Sequence, residues 1–146
     1  MKRFEFPLQR VLDLRNTQLA MEESRVRNQA AVLAELDRQR AEARESVRQA
    51  EEEVRSGPTV EGQDLAALGE YRLRMQACER KIMQKRAEEE KKLAALQAAM
   101  TEARRRCRLL ERLRERKKED WLAARDKELE ELASDAFLAG WGREQR

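Results

Sequence analysis

Two long stretches of this chain contain neither glycine nor proline: positions 8–56 and positions 70–139. Between them lies SGPTVEGQDLAALG, which holds three of the five glycines and one of the two prolines. Glycine and proline are the residues that end or bend regular structure. A chain that concentrates them in one short segment predicts two long uninterrupted elements and one turn. Apolar residues then decide what the elements are. Leu12, Leu19, Val26, Leu33, Arg40, Val47 and Val54 are spaced seven apart, and only Arg40 interrupts the apolar row. Their companions, Leu8, Arg15, Glu22, Gln29, Leu36, Ala43 and Ala50, are about half polar. Such a pattern gives a helix with a thin apolar seam, suited to two-stranded packing and too narrow for a globular core.

The second stretch carries Leu65, Leu68, Met75, Ile82, Leu93, Leu96, Met100, Ala103, Cys107 and Leu110 in one phase, with charged breaks at Glu79, Arg86 and Glu89. After Leu110 the phase slips, which marks a change in supercoil or in partner. Gly57 is expected to end the first helix in the left-handed conformation, with Pro58 unable to continue it. Asp64 is expected to cap the second helix, and Pro7 suits the first turn of the first. The expected fold is all-α: an elongated two-helix antiparallel coiled-coil hairpin with a C-terminal helical overhang. It forms a single coiled-coil domain, with a helix over about 7–56, a turn over 57–63, a helix over 64–136 and a frayed tail over 137–146.

A turn centred near residue 60 sets Leu8 opposite about Glu111. Residues after about 112 then have no partner within the chain, and they include Leu113, Trp121, Leu122, Leu129, Leu132, Phe137 and Trp141. Apolar side chains on a lone helix point to a binding surface. Five of the six aromatic residues belong to the two chain ends, which a hairpin brings to one pole. An N-terminal arm that folds over could reach only the first part of the overhang, so Trp121 suits either a structural or a binding role.

Charged residues make up 42% of the chain, yet 32 basic and 29 acidic residues leave a net charge of only +3. The charges are unevenly placed. Residues 101–119 carry nine basic and four acidic side chains, and residues 120–135 carry two basic and six acidic. A basic collar is thus followed by an acidic tip. Phosphate contacts to the collar are conceivable, but interleaved glutamates, the acidic tip and the lack of interleaved aromatics disfavour nucleic acid. The two remaining readings are a solvated helix laced with ion pairs and a charged patch for a protein partner.

Catalytic chemistry has little to stand on. There is no histidine. The two cysteines, Cys78 and Cys107, lack zinc-ligand spacing, and on one helix they would lie about 44 Å apart, too far to bridge. No Gly-rich phosphate loop occurs. The expectation is a non-enzyme without metal or cofactor. No apolar run is long enough to span a membrane and no signal peptide is visible, so a cytoplasmic protein is expected.

The opening residues FEFPLQRVLDLR, followed by Glu22 and Glu23, resemble the start of the flagellar FliJ family: aromatic-x-aromatic, then Leu, a Val-Leu pair and an Arg. The closing LERLRERKKEDWLAARDKELEELASDAF resembles that family's C-terminal segment, and Tyr71 with Met75, Cys78 and Ile82 resembles its middle segment. The similarity spans nearly the whole chain. It implies a two-helix antiparallel coiled coil of the type III protein export apparatus, similar to the central stalk of rotary ATPases. Its implied partners are the flagellar export ATPase ring, the membrane export gate and export chaperones. Its implied location is the inner face of the cell membrane at the flagellar base, reached through protein partners. The resemblance implies that the pole of paired termini enters the ring; there the unpaired overhang and its basic collar offer Arg112, Leu113, Arg114, Arg116, Lys117, Lys118 and Trp121 as the expected contact. The gate contact falls on Tyr71, Met75, Cys78, Ile82 and Lys85, where Cys78 and Lys85 depart from the family's usual residues. Injectisome stalk proteins and a generic coiled-coil scaffold are the alternatives.

Overall fold

The computed structural model describes residues 3–144. All regular structure among them is α-helical: α1 spans Gln9–Ser56 and α2 spans Gly62–Glu144. The two helices pack on one another as a helical hairpin. Neither is long and apolar enough to cross a membrane.

Helix boundaries follow from local chemistry. The Phe6 carbonyl accepts from the Gln9 amide (3.0 Å) and the Leu8 carbonyl from the Leu12 amide (2.9 Å). Pro7, which has no N–H to leave unpaired, lies in a tight turn just ahead of α1, which begins at Gln9 rather than at about residue 7. At the far end of α1, Ser56 Oγ donates to the Glu52 carbonyl at 2.8 Å, a back-bond to the preceding turn that serine and threonine make within helices. The expected left-handed glycine is not used. No glycine among the described residues has a positive φ. Pro58 accounts for the stop without one, because its ring disfavours the helical conformation for the residue before it.

The start of α2 also corrects the expectation. The helix begins at Gly62, two residues ahead of Asp64. Glu61 is the half-in residue: its carbonyl accepts from the Leu65 amide at 3.3 Å, and its amide donates back to Asp64 Oδ2 at 3.4 Å. Asp64 therefore supplies, from inside the first turn, the half of a capping box that satisfies the amide of the half-in residue. Its charge also favours the positive end of the helix dipole. At the C-terminus, α2 continues to Glu144, through the segment 137–144 expected to fray. Gly140 and Gly142 are accommodated within the helix, and the rest of the expected tail, residues 145 and 146, lies outside the described residues.

The chain divides into two compact units. In the unit of residues 21–101, the seam positions of both helices are buried or half-buried at spacings of three and four, the pattern of knobs-into-holes packing. Leu33 and Leu36 are its best-buried side chains, at 8% and 4% exposure. Charged seam residues read from the sequence as breaks turn out to be cross-helix partners. Gln29 Nε2 donates to the Glu89 carbonyl (2.9 Å) and to its Oε2 (2.6 Å). Arg40 and Arg44 both donate to Glu79 Oε1, at 2.8 and 2.6 Å. Arg86 reaches Asp37 at 2.7 Å, and Arg72 reaches Glu51 at 2.9 Å. Rising numbers on α1 pair with falling numbers on α2, so the helices in this unit run antiparallel. The other unit combines residues 3–20 with residues 102–144. Its core is Phe6, Leu12 and Cys107, at 8%, 4% and 2% exposure.

Candidate binding surfaces

The unit that contains both chain ends carries the aromatic and basic features expected to bind a partner. Phe4, on the arm ahead of α1, packs on Trp121 of α2 with ring centroids 6.0 Å apart and planes at 56°. The Arg125 guanidinium lies 5.5 Å from the Trp121 ring centroid, within reach of a cation–π interaction. Trp121 is half-buried in consequence, and the neighbouring Leu122 is half-buried as well. Of the two roles open for Trp121 from the sequence, the contact with the N-terminal arm is the one seen, and residues 111–120 ahead of it are all exposed. The N-terminal arm extends the chain's own pairing to Trp121, because residues 3–8 continue past the start of α1 in a direction that keeps Phe4 against α2. From Asp126 to Arg143 every side chain is exposed, including Leu129, Leu132, Phe137 and Trp141.

The collar residues are accessible. Arg112, Leu113, Arg114, Arg116, Lys117 and Lys118 are all exposed, Leu113 at 37%. Arg114 also lines an open cleft of about 870 Å³ beneath the arm, together with Arg3, Phe4, Phe6, Pro7 and Arg10. The ring-contact set is thus brought to one unit, but Trp121 is shared between the surface and the arm.

The gate-contact set splits. Tyr71, Met75 and Ile82 lie half-buried on the seam, and Cys78 and Lys85 lie exposed. The spacing of the five explains this: residues 71, 75 and 82 keep the seam phase, while 78 and 85 stand one position away from Glu79 and Arg86, which occupy it. Met75 borders a shallow depression of about 200 Å³ with Val47, Arg72 and Glu79. This segment offers a partner two exposed side chains and the edges of three others.

Ionisation in the seam follows its hydrogen bonds. The Glu79 carboxyl is held below the usual carboxylate range, first by the hydrogen bond from Arg40 and then by that from Arg44. Glu89 is lowered likewise, by Gln29 and then Lys92. Both carboxylates are ion-pair partners, Glu79 of Arg40 and Arg44 and Glu89 of Lys92.

No family model, curated protein or solved structure matches the chain.

Proposed function

We propose that this chain is the central stalk of a flagellar type III export ATPase ring, linking the ring to the membrane export gate and handling export chaperones. The observation that carries the reading is the hairpin itself, with both chain ends in one unit that also displays the basic collar and an exposed helical tip. A stalk needs stiffness, a thin seam and charged and apolar features at the pole that enters the ring, and it needs no active site. The quoted head, middle and tail segments supply the family. In this reading the collar residues Arg112, Leu113, Arg114, Arg116, Lys117 and Lys118 meet the ring, and the segment from Tyr71 to Lys85 meets the gate. The protein works in the cytoplasm at the membrane's inner face.

Hydrolysis of ATP by purified export ATPase, titrated with the chain, tests this. The full chain should stimulate it. Reversing Lys117 and Lys118 to glutamate should raise the concentration needed for half-maximal stimulation roughly tenfold at low salt, with a smaller effect as salt screens the charges. Equal stimulation by a chain ending at residue 110 would remove the collar and tip from the ring contact and turn attention to the hairpin's turn.

A further inference from the structure

The part of α2 that follows Glu102 has a second stripe, on the side turned away from Cys107, Trp121 and Arg125, which the chain itself covers. Positions spaced by three and four along this side run from Arg105 through Ala123 to Trp141, and every one is exposed. Side chains at that spacing share one helix face. From the geometry we infer that this face pairs with the same face of a second copy, the two helices running antiparallel about a twofold axis through Ala123.

Charge order excludes the parallel arrangement. Residues 101–119 have a net charge of +5 and residues 120–135 of −4, so parallel copies would oppose like with like, and antiparallel copies oppose collar to tip. The register then follows from the individual side chains. A twofold interface is self-complementary: if one residue meets another, the second meets the first across the axis, so every pair occurs twice. With the axis at Ala123, Arg116 meets Glu130 and Glu119 meets Lys127, both opposite in sign. Leu109, which is 56% exposed, meets Phe137, which is 71% exposed. Arg112 meets Ser134, whose hydroxyl can accept its N–H. Arg105 meets the ring of Trp141, a cation over an aromatic face. Ala123 meets itself, and its small side chain lets the helices approach closely.

Neighbouring registers fail on the same face. An axis at Glu119 sets glutamate on glutamate, and an axis at Lys127 sets lysine on lysine. The pattern of signs and apolar residues is thus specific to one axis, and a solvated face has no reason to be symmetric about a point. The pairing does not rest on the flagellar reading. It uses Arg112 and Arg116, so a copy seated here and an ATPase ring would exclude one another.

The experiment uses the full chain with Cys78→Ser, since Cys78 is the exposed cysteine and Cys107 is buried. Sedimentation equilibrium should show a monomer–dimer equilibrium. Arg116→Glu should raise the dissociation constant about tenfold, because two pairs turn repulsive together. Adding Glu130→Arg to the same chain should restore it. Ala123→Cys should cross-link to its own copy under mild oxidation, since Cα atoms within about 7 Å can bridge. Ala95→Cys, equally exposed but in the other unit, should not. A chain that stays monomeric to about 1 mM would overturn the inference. So would a charge swap that fails to restore association, or cross-linking at Ala95 as ready as at Ala123.

Discussion

Leu36 is 4% exposed and lies on the α1 side of a seam whose other members are mostly half-buried. Leu14, one residue off the same phase, is 56% exposed. The contrast sets the scale of what single residues contribute here. Leu36→Ala should lower stability to urea by about 2–3 kcal/mol, near the low end for buried leucine because water already reaches much of the seam. Leu14→Ala should change it by less than about 0.5 kcal/mol. Equal losses at the two positions would show that the seam phase is displaced. Charged seam residues are the counterpart. Glu79 takes two arginine hydrogen bonds and Glu89 takes two from Gln29, so the polar half of the heptad pairs rather than merely tolerating solvent.

At the scale of the helices, the chain continues α2 through glycine without a break. Gly69 lies inside α2, has no positive φ, and a Cβ built on it would meet nothing within 4 Å. Gly69→Ala should therefore stabilise by about 0.5–1 kcal/mol in thermal or urea unfolding, since alanine loses less backbone freedom and clashes with nothing. Cohesion between the helices should depend on pH in a definite direction. The carboxyls of Glu79 and Glu89 are lowered in the folded chain. A lowered folded value means the unfolded chain binds protons more readily, so the stabilisation is present above the unfolded value of about 4.3 and is lost as pH falls through the folded values. The midpoint of thermal unfolding should fall below about pH 4.5, and Glu79→Gln together with Glu89→Gln should flatten that part of the profile. A profile unchanged by the double substitution would place the acid sensitivity elsewhere.

For the molecule as a whole, packed and exposed side chains separate along α2. Every described side chain from Asp126 to Arg143 is exposed, so a chain ending at residue 125 should keep its unfolding midpoint within a few degrees while losing any association made by the tip. A large fall in midpoint would mean the tip supports the packed units. Much of this was legible in the sequence. The heptad from Leu12 to Val54 and the glycine-free stretches give the helices, the antiparallel hairpin and the seam, because periodicity records burial directly. Other features were not legible. The arm that lays Phe4 on Trp121 has no helical period to read, so the sequence leaves the role of Trp121 open. Glu79, Arg86 and Glu89 looked like defects, since pairing across a seam depends on register between distant segments. Asp64 belongs to the first turn rather than the cap, a shift within the usual uncertainty of helix ends. The collar residues are exposed, as a helix without a partner predicts; the gate residues are grouped by the family resemblance, which carries no information on burial, and burial divides them.

The contact between Phe4 and Trp121 has an optical consequence. The chain has two tryptophans: Trp121 is half-buried beneath the arm with a guanidinium beside it, and Trp141 is 58% exposed. With Trp141→Phe, a single indole remains whose surroundings change when the arm lifts. Its emission should shift to the red on Phe4→Ala, as water replaces the phenyl ring, while far-ultraviolet helicity stays near its starting value. The protein thus contains its own fluorescent reporter of whether the N-terminal arm is seated. That colour change can be followed in time as any partner arrives.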